Sequence, residues 1–181
     1  MRNRDNTFTT KKYITDSLLI LLKSKSYNSI TIAEITTKAG VNRSTYYRNF
    51  ISKDDIIKQY YEILLITFYS TISDENIKLE DYLFKMFSFF YSQRNDLLLL
   101  HRHCLSYLLL DALNDKFCSN KQVKNFNDSF SIYYHTGGIF NTFLLWFNND
   151  MNKTPQQMTD YSTKVLPENF IPLLKENNTY I

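Results

Sequence analysis

Residues 31–53 read TIAEITTKAGVNRSTYYRNFISK, and this stretch decides how the whole chain is read. Gly40 is the only glycine before position 137, and no proline occurs before Pro155. A lone glycine in a long proline-free region marks a sharp turn with φ > 0. On its N-terminal side Ile32, Ile35 and Ala39 fall at i, i+3 and i+7, one face of a short helix. Thr31 is placed to cap that helix, and Glu34, three residues on, completes a capping box. After the turn Val41 points back to the core. Asn42 caps a second short helix that carries Tyr46 and Phe50 inward at i and i+4. Two short helices across a tight glycine turn are a helix-turn-helix.

The outward face of the second helix carries Arg43, Ser44, Thr45, Tyr47, Arg48 and Asn49, all hydrogen-bonding side chains. A helix in the major groove reads base edges with such groups. Arg43 or Arg48 suits bidentate pairing with guanine, and Asn49 suits adenine. Tyr47, Thr31 and Lys53 are better placed to clamp phosphates, which sets register without reading sequence. The alternative is a helical hairpin whose polar face is merely solvated.

The segment GVNRSTYYRNFISKDDII resembles the signature of TetR-type transcriptional regulators. The resemblance rests on Gly40, Val41, Ser44, Thr45, Tyr46, Tyr47, Arg48, Asn49, Phe50, Ser52, Lys53, Asp54 and Asp55, with Thr31, Ile32, Ile35 and Ala39 upstream. It is close over residues 9–65 and loose beyond. Tyr46 departs from it, standing where the family more often has Leu or Phe. The resemblance implies an all-α fold: a three-helix DNA-binding head, residues 1–52, on a helical ligand and dimerisation body, residues 53–181. It implies a homodimer, most often a repressor, on a near-palindromic stretch of double-stranded DNA, modulated by a small-molecule effector. A second reading comes from TetR-like co-activators that dock onto a sugar kinase. There the body takes a kinase-like protein partner instead of a small ligand.

Composition agrees. Three glycines and three prolines in 181 residues disfavour a loop-rich β fold and favour long helices. Residues 1–61 hold 11 basic and 5 acidic residues, a net of +6, while the rest hold 10 and 13, a net of −3. The basic half is the half with the helix-turn-helix, as phosphate binding requires. Two cysteines, Cys104 and Cys118, are too few for a disulfide scaffold. The N-terminus lacks the apolar stretch of a secretory signal and no apolar run is long enough to span a bilayer, so a soluble, cytoplasmic protein is expected.

Along the chain, residues 1–8 are expected to fray. A first helix follows over about residues 10–25, with Ile14, Leu18, Leu21 and Leu22 on one face. Ser52 caps a fourth helix that reaches about Thr71 and joins head to body. A nearly all-apolar helix is expected over residues 79–93, a loop at 94–96, and one bent helix or two over 97–117. A long helix from about 128 to 148 contains Gly137 and Gly138 mid-length, for which close backbone approach or a kink is the expected reason. Thr154, Pro155 and Gln157 start the last helix, which runs to about residue 165. The stretch HTGGIFNTFLLWFNNDMNKTPQQM resembles the dimerising end of one TetR subgroup. That resemblance assigns the dimer contact to Ile139, Phe140, Phe143, Trp146 and Phe147.

Phe87, Phe90, Tyr91, Tyr107, Tyr134 and His135 are candidates for a ligand pocket, and equally for plain core. His101, His103 and Cys104 cluster, but a zinc site usually needs three or four ligands and only two of these share a helix face. No metal or other cofactor is expected. Phosphate-loop, nucleophile-elbow and metal-ligand motifs are all absent from the sequence, so an enzyme is not expected.

Overall fold

The computed structural model describes residues 2–72, 77–117 and 126–166, and all regular structure among them is helical. Nine α-helices occur there: α1 Arg2–Leu22, α2 Ile32–Ala39, α3 Arg43–Asn49, α4 Lys53–Ser70, α5 Leu79–Ser92, α6 Arg94–Arg102, α7 Tyr107–Phe117, α8 Phe126–Asn148 and α9 Pro155–Ser162. Most of the polar breaks expected at 73–78 and 119–127 lies outside the described residues, as do Cys118, Pro167 and Pro172.

Helix α1 runs from Arg2 rather than from about residue 10, because no glycine or proline interrupts it. The predicted fray at residues 1–8 is therefore not what the fold contains. It buries Ile14, Leu18, Leu19 and Leu22 against α2, α3 and α4. Gly40 ends α2 at φ 67, the left-handed conformation. Val41 N–H donates to Thr36 O at 3.0 Å and Gly40 N–H to Thr37 O at 3.2 Å, the paired bonds of a Schellman cap. The head core then closes on Ile30, Ile35, Tyr46, Phe50 and Ile57, all buried.

In the body, α4 packs on α7, α7 on α8, and α5 on α9. The space between them is filled by aromatic rings. Phe90 and Phe143 lie 4.8 Å apart, and Phe87 meets Trp146 edge-on at 5.5 Å. Trp146 satisfies its indole N–H on Lys153 O at 3.0 Å. Helix α6 starts at Arg94, directly after α5, so the loop expected at 94–96 is helix. Helix α8 runs unbroken through Gly137 and Gly138, and among the described residues a Cβ on either would touch nothing within 4 Å.

Three residues assigned to the dimer contact are corrected here. Phe143, Trp146 and Phe147 are each 2 % exposed or less and form the chain's own core. Ile139 and Phe140 are half-buried against that core. The solvent face of α8 is instead Phe126, Phe130, Tyr133, Tyr134 and Leu145.

Tyr46 is fully buried, and its hydroxyl has no hydrogen-bond partner among the described residues. Burial pushes its pKa up to about 12. An unpaired buried hydroxyl costs ~1–3 kcal/mol, and an apolar isostere removes that cost. Tyr46→Phe is therefore expected to raise the urea unfolding midpoint, with a gain of about 1 kcal/mol. A lower midpoint would mean the hydroxyl is satisfied.

Candidate nucleic-acid interface

The face of α3 is prepared by its N-cap. Asn42 Oδ1 accepts from Thr45 N–H at 2.8 Å, from Thr45 Oγ1 at 2.8 Å and from Ser44 Oγ at 2.7 Å. One carboxamide oxygen thus holds the first turn of α3. Its inward residues, Tyr46 and Phe50, fix the rotation of the helix about its axis. Arg43, Ser44, Tyr47 and Arg48 are left exposed, and Thr45 and Asn49 half-exposed.

These side chains are not equivalent. Arg43 makes no hydrogen bond or ion pair within the described residues, so its guanidinium presents all its donors outward. Arg48 folds back, with Nε on Ser44 O at 3.3 Å and Nη2 on Thr45 Oγ1 at 3.1 Å. Asn49 donates to Thr45 O at 2.7 Å, which spends one of its two amide hydrogens and turns the carboxamide back along the helix. Tyr47 is 60 % exposed and braced edge-on against Tyr46 at 5.2 Å. Thr31 holds the capping box: its Oγ1 accepts from Glu34 N–H at 3.2 Å, and its own N–H donates to Glu34 at 2.9 Å.

Lys53 differs most from its assigned part. Its ammonium donates to Tyr27 O and Ile30 O, each at 2.7 Å, and sits 4.4 Å from the Tyr27 ring centroid. Two of its three donors therefore close the loop between α1 and α2, and one remains for a phosphate. Tyr27 donates its hydroxyl to Asp54. Nothing local in the sequence marks that pair, 27 residues apart.

The residues assigned to a ligand pocket separate into groups. Phe87, Tyr134 and His135 line a cleft of about 550 Å³ between α5, α8 and the end of α9. No Lys, Arg, Asp or Glu lines it, and burial lowers the pKa of His135, which keeps the imidazole neutral at neutral pH. Phe90 borders a separate void of about 10 Å³ between α4, α5, α7 and α8, which holds no ligand. Tyr91 stacks on Trp146 at 5.8 Å, with Arg94 over its outer face. Tyr107 points away from both cavities, donating to Asp54 at 2.7 Å. Phe90, Tyr91 and Tyr107 are thus corrected from ligand contacts to packing and tethering residues. His101 and His103 spend ring nitrogens on Ser106, Asn148 and the Leu22 carbonyl.

A capped turn on three helices, with a polar helix face turned out, defines a helix-turn-helix DNA-binding protein. Residues 14–60 match the family model of bacterial regulatory proteins, tetR family, and the helix-turn-helix lies wholly within that stretch. Among solved structures the chain is similar to TetR family repressor AlkX from Dietzia sp. strain DQ12-45-1b, implicated in biodegradation of n-alkanes. That match has 18 % identity and a TM-score of 0.47, over 92 % of this chain and 95 % of that one. No curated protein matches. Among the described residues no helix is long and apolar enough to cross a membrane.

The capping box also sets a pH dependence. The Lys25 ammonium, then the Thr31 N–H and hydroxyl, lower the Glu34 pKa from 4.5 to about 2. A carboxylate with a depressed folded pKa contributes stability that is present above its unfolded value and lost as pH falls through the folded one. Glu34→Gln should thus melt below the parent protein at neutral pH, with the gap closing between pH 4.5 and about 2. Circular-dichroism melts across that range check it; a gap independent of pH would remove the carboxylate's charge from the cap.

Proposed function

We propose that this regulator is a homodimeric repressor. Its two α3 helices enter successive major grooves of a near-palindromic operator, and an effector bound to the body releases it. The observation that carries the reading is Arg43: an exposed, unpaired guanidinium at the N-terminal end of α3, where a recognition helix meets base edges. Arg43 reads guanine. Arg48 joins it on unfolding from Ser44 and Thr45. Ser44, Thr45 and Asn49 are secondary contacts. Tyr47, Thr31 and the third Lys53 donor face phosphates. Residues 1–52 act as the head and 53–181 as the body, joined through α4.

Support for the homodimer comes from α8. Each helical glycine costs about 1 kcal/mol against alanine, and among the described residues nothing packs on Gly137 or Gly138, which lie at the edge of the cleft. A second α8 crossing at these glycines, flanked by the exposed Tyr134 and Leu145, accounts for both the glycines and the uncovered rings. The effector then belongs in the uncharged cleft beside this face and is itself neutral and mostly apolar. A second reading is favoured by the almost void-free interior between α4, α5, α7 and α8. If the cleft also takes no small molecule, the exposed apolar face serves a protein partner of the kinase-like kind.

Two outcomes are expected. On a fragment enriched from random duplex DNA, Arg43→Ala should weaken binding by about 1–3 kcal/mol and relax the preference at one base pair; fluorescence anisotropy that finds equal affinity would reject Arg43 as a reader. Leu145, 64 % exposed, tolerates a charge in the folded chain. Leu145→Glu should convert the dimer to monomer by light scattering, and a persisting dimer would move the interface off this face of α8.

A further inference from the structure

We infer that Gly138 is the shelf of a binding site for an uncharged aromatic compound bearing a hydroxyl or N–H group, anchored by Thr142 and Ser162. This rests on the placing of the effector in the cleft between α5, α8 and the end of α9.

On α8, His135, Gly138 and Thr142 fall at i, i+3 and i+7 and form one strip of the cleft wall. At its centre the strip has no side chain, and among the described residues a Cβ on Gly138 would meet nothing within 4 Å. The missing atom opens the helix backbone itself to the cleft. That backbone asks for no further donor. Gly138 O accepts from Thr142 Oγ1 at 2.9 Å, and Gly137 O from Asn141 Nδ2 at 2.9 Å. Carbonyls inside a helix also receive a backbone N–H from four residues on. Both lone pairs of each glycine carbonyl are thus spent, and the shelf is flat and satisfied. On the α5 side the wall is Met86 and Phe87, a thioether and a ring that pack well on an aromatic face. A slot between bare helix backbone and these two side chains takes a flat ring better than a branched chain. A second α8 crossing further round the helix, over the exposed Tyr134 and Leu145, leaves this side of Gly138 to the ligand.

Two hydroxyls decide which polar group the ring must carry. Thr142 has given its proton to Gly138 O, so its oxygen is an acceptor only toward anything in the cleft. Ser162, the last residue of α9, is 8 % exposed and lines the same cleft. Its hydroxyl has no hydrogen-bond partner among the described residues. A hydroxyl so nearly buried is ordinarily bonded, and a polar group of the ligand is placed to bond it. A donor on the ligand therefore satisfies Thr142 and Ser162 together. Charge is excluded. No Lys, Arg, Asp or Glu lines the cleft, and burial holds the His135 imidazole toward its neutral form. An ion would lose its hydration there with nothing to replace it. The volume of about 550 Å³ lies in the ~300–1,000 Å³ range of small-molecule sites and suits roughly two or three rings.

The test keeps one ring system and changes its polar group. N-phenyl-1-naphthylamine is uncharged, has one N–H and gains fluorescence in apolar sites. Its 8-sulfonate differs only by a negative charge, and its N-methyl derivative only by the lost donor. On the full chain without DNA the parent compound should bind saturably, roughly ten-fold or more tighter than the sulfonate and roughly five-fold tighter than the N-methyl compound. Gly138→Leu, which puts a side chain into the slot, should weaken it by roughly ten-fold or more. Thr142→Val combined with Ser162→Ala should bring the preference for N–H over N-methyl close to one. Circular-dichroism melts establish that each variant is folded. If Gly138→Leu is not, Gly138→Ala is read instead, since alanine favours the helix and still weakens the probe by a smaller factor. No fluorescence gain with the parent protein, equal binding of the three compounds, or unchanged binding in a folded Gly138 variant overturns the inference. A protein that binds the probe as expected but enriches no sequence from random duplex DNA defeats the regulator reading and leaves the site standing.

Discussion

Everything that α3 offers to solvent depends on the burial of Tyr46 and Phe50. These rings sit on the core that α1 and α4 supply through Ile14, Leu18 and Ile57. In a seven-residue helix, one buried ring inside it and a second on its C-cap, at i and i+4, fix its rotation. Arg43 and Tyr47 must then face out. The helix is too short to be stable by itself, so the Asn42 cap and the two rings both make it and aim it. That the inward ring at position 46 carries a hydroxyl with no partner shows the constraint to be one of shape and apolar area rather than polar complementarity.

The head was largely legible in the sequence because its rules are local. A cap oxygen three residues ahead of its N–H, a glycine where φ must be positive, and rings one turn apart all fall within a few positions of one another. The boundaries of α2, α3 and α4 follow from them. The part played by Lys53 was not legible. Its partners, the carbonyls of Tyr27 and Ile30, lie 26 and 23 residues away, and a lysine beside a recognition helix reads equally well as a phosphate clamp.

The body shows the limit more clearly. Helix α8 is apolar nearly all round, so periodicity could not say which apolar face is core. Phe143, Trp146 and Phe147 went to the interior with Phe87 and Phe90. The opposite face, with Phe130, Tyr134 and Leu145, was left to solvent. Gly137 and Gly138 carry no side chain into the space beside them, which is the cleft between α5, α8 and the end of α9. Tyr107 was misplaced on the same ground: aromatic content near the body's middle says nothing about where a hydroxyl points.

Two Schellman turns, at Gly40 and Cys104, differ in what holds them. At Gly40 the left-handed residue has no side chain to strain, and the turn needs no support from elsewhere. At Cys104 it does have one, and the turn is flanked by bonds from His103 to the end of α1, from Tyr107 to the start of α4, from His101 to the end of α8 and from Arg102 to Asp150 just past it. A left-handed residue with a side chain persists there because contacts on two sides over-determine it.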